Sequence, residues 1–192
     1  DIDKYKNQIA VSSKKFKTPC YMDVKRELIF SPVARFALSC IKAAANFNTE
    51  DILCLLKTGL TSIKDIDISL LEEYVYIWDI NKTAWNKEWT MNPNVFITNE
   101  EERNAADSAE KLSALNRIRK SVVFPLLKVK KSFTGNCKDI TEALYNCIIE
   151  LKADEAVKKL CNYLLLKDDK ANADYINASW DEVINTFDSM VR

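Results

Sequence analysis

Only two of the 192 residues are glycine, Gly59 and Gly135, where average usage of roughly 7% would supply about 13. Glycine is what lets a chain turn tightly with positive φ, so a chain this poor in it has few tight turns to offer. Prolines are also few, at four, and nothing else breaks the periodic segments. The fold class predicted is therefore mainly α, a multi-helix domain with at most a short strand near the N-terminus. The same scarcity means that neither G-x-x-x-x-G-K-[ST] nor G-x-G-x-x-G can be written, so the chain carries neither standard nucleotide-phosphate loop. Histidine is absent altogether. That removes the usual general base near neutral pH, the usual orienter of a Ser or Cys nucleophile, and the commonest protein ligand of catalytic zinc.

Hydrophobic periodicity marks out the helices. Ile2, Tyr5, Ile9 and Phe16 share a face, and Pro19 ends that pattern before Cys20-Tyr21-Met22, the strand candidate. Ser31-Pro32 reads as an N-cap followed by an N1 proline, opening a helix with Val33, Phe36, Ala37, Cys40, Ile41 and Ala44 inside. Thr49 is expected to cap the next helix, in which Leu53, Cys54 and Leu56 supply apolar surface, Gly59 offers a left-handed stop and Leu60 closes over it. Asp65 or Asp67 is expected to cap a helix carrying Leu70, Leu71, Tyr74, Val75 and Trp78 that ends near Asp79. From Ile80 to Asn99 no period is visible, but Trp85, Trp89, Met91 and Phe96 predict an ordered loop pinned by aromatic anchors. A long helix begins near Glu100, with Leu112, Leu115, Ile118, Val122, Leu126, Val129 and Phe133 inside and a kink or break at Pro125. Gly135-Asn136 ends it. Two further helices bury Ile140, Ala143, Leu144, Cys147, Ile148 and Leu151, then Val157, Leu160, Cys161 and Leu164 behind an Asp154 cap. The last carries Trp180, Val183, Ile184 and Phe187.

The six cysteines, at positions 20, 40, 54, 137, 147 and 161, contain no C-x-x-C. Close pairs are what zinc ribbons and thioredoxin-like sites need, and four of these thiols instead fall at apolar helical positions, namely Cys40, Cys54, Cys147 and Cys161. Reduced core thiols predict a cytoplasmic protein. No signal peptide, lipidation motif or apolar run of roughly 18 residues is visible. The chain starts without Met at Asp1 and ends at Arg192 just past a helical pattern, which reads as a piece of a longer polypeptide.

Lys+Arg 28 cancels Asp+Glu 28, so any attraction to a polyanion has to be local. The strongest local excess lies between Lys111 and Lys138, where Lys111, Arg117, Arg119, Lys120, Lys128, Lys130, Lys131 and Lys138 occur with no acid among them. Such a strip attracts a DNA backbone, although bases toward the end of a helix that starts with acids also follow from the macrodipole. Arg117, Arg119, Lys120, Lys128, Lys130 and Lys131 are the DNA-contact candidates. Trp85, Trp89 and Phe96 are the partner-contact candidates of the alternative reading, a helical interaction module docking another subunit through its aromatic loop. Glu150-Leu151-Lys152 mimics the E-x-K of metal-dependent nucleases, but on a helix residues two apart diverge by about 200° and cannot share a metal. Asp65, Asp67, Glu72 and Glu73 read as caps and a solvated face rather than a cation site. No catalytic or metal residues are assigned.

Several of these residues fall into a recognisable order. Asp1-Ile2-Asp3-Lys4-Tyr5 and Pro19-Cys20-Tyr21-Met22-Asp23 resemble a D-L-x-x-Y and an I-P-Y-F-x-D stretch, and Leu56-Lys57-Thr58-Gly59-Leu60 is similar to L-K-T-G-L. Leu71-Glu72-Glu73-Tyr74, Trp78, Ile80, Trp85, Trp89, Asn116, Arg119, Leu144-Tyr145 and Trp180 follow in place. Together they resemble the B subunits of the bacterial AddAB (RexAB) ATP-dependent helicase–nucleases. Departures from that pattern are Ser31 for the His of an H-P pair, Glu73 for Asn, and Asp79 for Gly. The resemblance implies a stretch of the second helicase-like half of that protein. Residues 1–30 would be a lead-in from the RecA-like 2A region, and 31–192 a helical domain like the 2B insertion of superfamily 1 helicases. It further implies a non-catalytic role in double-strand-break processing for recombinational repair. DNA, the A subunit and the remaining domains of the same chain would be its partners, with no membrane and no cofactor of its own.

Overall fold

The computed structural model describes residues 2–20, 26–94 and 105–192, and no strand occurs among them. The protein is mainly α. Tyr21 and Met22 of the strand candidate, Phe96, and the Glu100 start of the long helix lie outside the described residues. The chain divides into two compact units, Asp1–Phe30 and Ser31–Arg192. The first holds helix α1 (Ile2–Phe16) and a 3₁₀ turn, Leu28–Phe30. Lys17, with φ 51°, ends α1 two residues before Pro19.

The second unit contains α2 (Pro32–Asn46), α3 (Thr49–Leu56), α4 (Asp65–Ile77), a 3₁₀ helix Lys82–Asn86, α5 (Ala105–Ser132), α6 (Cys137–Glu150), α7 (Ala153–Leu166) and α8 (Lys170–Val191). At its centre is α2, which packs against α3, α5, α6 and α8. Its composition explains how one helix can serve four neighbours. Ala34, Ala37, Ser39, Cys40, Ala43 and Ala44 are all buried, and side chains this small let other backbones approach from several sides while Val33 and Phe36 fill the remaining gaps. The Ser31 hydroxyl accepts a hydrogen bond from Ala34 N–H at 3.1 Å and Pro32 occupies the first turn, as the sequence predicts. Ile41, expected inside, is exposed, because the buried surface extends round to Ala34, Ser39 and Ala43 instead.

Several helix starts differ from expectation because the predicted cap is used elsewhere or sits inside the first turn. Asn48, not Thr49, precedes α3, and the Thr49 hydroxyl instead donates to the Ile80 carbonyl and accepts from Trp85 Nε1 at 3.0 Å. Lys64 precedes α4, leaving Asp65 and Asp67 in its first turn, where their charge meets the positive end of the dipole. Lys152, left-handed at φ 62°, turns α6 into α7 and leaves Asp154 in the first turn. Asn136 opens α6 rather than closing α5, through a reciprocal capping box with Asp139. Cys54 is exposed, since Ile52, Leu53, Leu55 and Leu56 take the buried face of α3 and position 54 falls opposite. No break occurs at Pro125. α5 runs through it, with Pro125 buried alongside Val122, Val123 and Leu126, so packing sustains a turn that the missing N–H weakens.

The turn after α4 shows how a local rule is broken and tolerated. Asp79 sits at φ 46°, in the left-handed region, at the carboxyl end of a helix where a negative charge is unfavourable. Phe47, at φ 54° after α2, is strained in the same way, but its side chain is only 1% exposed. Removing that ring forfeits about 3 kcal/mol or more of packing, far more than the relief of roughly 1 kcal/mol that glycine gives the backbone. At Asp79 no buried side chain is at stake. Asp79→Gly is therefore expected to stabilise the protein by about 0.5–1 kcal/mol, and Phe47→Gly to destabilise it, both read from urea unfolding midpoints; a lower midpoint for the Asp79 variant would contradict this account.

Candidate nucleic-acid interface

The aperiodic stretch after α4 carries no ladder of its own, so its backbone groups need partners from elsewhere. Tyr74 and Trp78 on α4 hold one end, with the Tyr74 hydroxyl donating to the Met91 carbonyl at 3.1 Å and Trp78 Nε1 to that of Asn92 at 3.3 Å. Asn116 on α5 holds the middle. Its Oδ1 accepts from Trp89 N–H at 3.0 Å and its Nδ2 donates to the Trp89 carbonyl at 2.8 Å, so one side-chain amide pairs with both polar groups of a single residue. Arg119, one turn on, donates Nε–H to Asn116 Oδ1 at 3.1 Å and Nη1–H to the Trp85 carbonyl at 2.9 Å. Its guanidinium also stands 5.7 Å from the Trp89 ring centroid. Trp89 stacks on Tyr74 at 5.0 Å and meets Trp85 edge-on at 5.3 Å.

This arrangement relocates three of the sequence-derived candidates. Trp85 and Trp89 are both buried, so they form the underside of a lid and cannot be offered to another protein. Arg119 is only 5% exposed and its donors are spent on the loop, so it is a structural residue and not a DNA contact. Burial pulls its pKa below the ordinary guanidinium value, with Glu88 acting in the opposite direction. The signal that could have separated Arg119 from its neighbours is periodicity: it lies two positions from Arg117, about 200° round the helix and on the side of Leu115, Val122 and Leu126.

The remaining bases also divide. Lys128 pairs with Glu150 at 2.7 Å, Lys111 with Asp107 at 2.8 Å and Lys138 with Glu142 at 3.8 Å. Lys130 Nζ stands 5.2 Å over the Phe47 ring. Arg117, Lys120 and Lys131 are exposed and have no ion pair among the described residues. At about 100° per residue these three, with Phe124 and Lys128, fall within one sector of α5 that faces away from the core. A cleft of about 570 Å³ between α5 and the loop opens at the amino-terminal end of this face, lined by Trp89, Leu112, Asn116, Arg117 and Lys120 and by the acid Glu88. Among the described residues no group of His, Cys, Asp and Glu is placed to hold a metal ion.

Comparison with curated proteins gives the chain its relatives. It is 32% identical over 196 residues to the B subunit of the ATP-dependent helicase/deoxyribonuclease of Clostridium kluyveri, covering 100% of this chain and 17% of that protein. It is 29% identical over 197 residues to the B subunit of the Acetivibrio thermocellus enzyme, again covering 100% of the chain and 17% of the relative. The Ruminiclostridium cellulolyticum B subunit is 24% identical over 191 residues, 98% of the chain and 16% of that protein. This chain matches the family of helicase/deoxyribonuclease B subunits along its whole length. It spans about one sixth of the length of those proteins, and no family model matches it.

Several of the motif residues singled out in the sequence build the lid and its supports. Within Leu56-Lys57-Thr58-Gly59-Leu60, the Thr58 hydroxyl donates to the Leu55 carbonyl at 2.7 Å, Gly59 is left-handed at φ 73°, and Leu56 and Leu60 are buried. Lys57 and Glu72 pair at 2.6 Å across α3 and α4. Trp85, Trp89, Asn116 and Arg119 form the clamp itself. Asn116→Asp would set a carboxylate oxygen against the Trp89 carbonyl, and Arg119→Ala would leave the Trp85 carbonyl buried without its donor. Each is expected to cost about 2–3 kcal/mol of stability in urea titrations. Values within about 0.5 kcal/mol of the parent chain, the usual range for surface changes, would show that the clamp does not hold the loop.

Proposed function

We propose that the chain serves as a non-catalytic helical part of the B subunit of an ATP-dependent helicase–deoxyribonuclease, in the processing of DNA double-strand breaks for recombinational repair. The observation that carries this reading is the match to such B subunits over the whole chain, with 32% identity to the Clostridium kluyveri protein. Residues 1–30 are taken as the lead-in from the 2A region and 31–192 as the 2B-like domain, a placement supported by the separate compact units on either side of Phe30 and Ser31. Its partners in this reading are DNA, the A subunit and the remaining domains of the same polypeptide, and it needs no cofactor of its own. A cytoplasmic location is supported by the free, buried thiols of Cys40, Cys147 and Cys161. No helix among the described residues is long and apolar enough to cross a membrane.

The DNA contact is assigned to the exposed face of α5, through Arg117, Lys120 and Lys131. Each phosphate neutralised there releases a counterion, so binding should fall with salt in proportion to the number of contacts. The double variant Lys120→Glu/Lys131→Glu is expected to weaken binding of a labelled oligonucleotide and to flatten the slope of log K against log salt by about 2. Salt-independent binding, or the same slope in the variant, would remove this face from the interface.

A further inference from the structure

The outward face of α5 is not uniformly charged. In its middle Phe124 stands 58% exposed, one of the more exposed aromatic rings of the second unit. Lys120 and Lys128 lie one turn to either side of it, and Arg117 and Lys131 two turns to either side, all exposed. From Arg117 to Lys131 the face runs about 21 Å along the helix. Packing within the second unit does not use this ring. The inner side of α5 is already filled by Leu115, Val122, Val123, Leu126 and Val129, and Phe124 points away from all of them. A phenyl group left in water among cations forgoes apolar burial that a bound partner would supply.

Duplex DNA does not supply that partner. Along a duplex the π-faces of the bases are stacked on one another, so a phenyl ring on a phosphate-binding strip would meet only charged backbone. An unpaired strand presents both a chain of phosphates and free base faces, and cations flanking an aromatic ring match that pair of features. We propose that the outward face of α5 binds single-stranded DNA in preference to duplex, with Phe124 as the platform on which an unpaired base stacks and Arg117, Lys120 and Lys131 as the phosphate contacts. Lys128 contributes less, because Glu150 already takes up its charge at 2.7 Å. The proposal rests on the reading of this face as a DNA contact and adds which form of DNA it takes.

The test is fluorescence anisotropy of the 192-residue chain at low salt. The probes are a fluorescein-labelled oligo-dT strand of about ten nucleotides and a duplex of the same length. The parent chain is expected to bind the single strand more tightly than the duplex. Phe124→Ala is expected to weaken single-strand binding by about ten-fold with duplex binding unchanged, and Phe124→Tyr, which keeps the ring, to restore it. Circular dichroism of the Phe124→Ala chain should retain the parent's helicity, since the ring is outside the core. The Lys120→Glu/Lys131→Glu chain separates the two levels of the argument. If charge reversal weakens binding while Phe124→Ala leaves it unchanged, or if duplex is preferred, stacking is wrong and the DNA contact stands. If neither variant alters binding, the DNA contact falls and the stacking proposal with it.

Discussion

One side-chain amide decides whether this chain has a folded loop or a loose one. The residues following α4 turn across the helices without pairing with any strand, and a backbone in that position has to find donors and acceptors one at a time. Asn116 offers both from one group, meeting the N–H and the carbonyl of Trp89 together, and Arg119 reaches past it to the Trp85 carbonyl. Two donors, Trp89 N–H and Arg119 Nε–H, converge on Asn116 Oδ1 and so fix which way the amide is turned. Once those bonds hold the backbone, the indoles have only one direction to go, inward against Tyr74. The aromatic contacts then shield the same hydrogen bonds from water, which is where bonds of this kind are worth most.

The same economy appears at the centre of the unit. α2 is surrounded by four helices, and no run of large side chains would allow that. Its buried residues after Phe36 are Ala37, Ser39, Cys40, Ala43 and Ala44, and cysteine is used there as a small hydrophobe. Burial raises the Cys40 thiol well above its ordinary pKa, with the neighbouring Cys147 thiol on α6 acting in the same direction. Cys161, where burial likewise raises the pKa, directs its thiol to Asn177 Oδ1 at 3.2 Å. Burial favours the neutral thiol at Cys40 and Cys161, and volume accounts for their place in the chain.

What the sequence makes legible follows from how far each interaction reaches. Ser31-Pro32 and the Gly59 stop depend on neighbours within a turn, and both read correctly. The apolar stripe of α6 and most of those of α4 and α5 also read correctly, because periodicity in a long helix reports directly on one buried face, although Leu70 on α4 and Phe133 after α5, expected inside, are exposed. The caps at Thr49, Asp65 or Asp67, and Asp154 misled because a short polar side chain serves equally as a cap, a first-turn charge or a tertiary bond. Thr49 was claimed by Trp85 and Ile80, from 36 and 31 residues away. The extra buried positions of α2 were hidden for a different reason. Alanine and serine carry little weight in a hydrophobic pattern, and only the packing shows that a helix is enclosed on several sides. Trp85 and Trp89 read as anchors, which they are, but whether an anchor points inward or outward depends on partners in a distant helix.

The basic segment of α5 carries the same lesson into function. Eight positive charges in one acid-free run suggest a uniform electrostatic surface, yet the helix distributes them by angle. Arg119 goes to the core, Lys130 to an aromatic ring, and Lys111, Lys128 and Lys138 to carboxylates contributed by the chain itself. A molecule with 28 bases and 28 acids has no net field to lose, and these pairings reduce the strip to Arg117, Lys120 and Lys131. Three point charges on one face, spaced by helical turns and centred on an exposed ring, make a narrower surface than the run of eight suggests. Under the proposed single-strand contact they also make a more selective one. A diffuse positive field attracts any polyanion, whereas charges fixed at set spacings about an apolar platform favour a strand that can present phosphates and a bare base together.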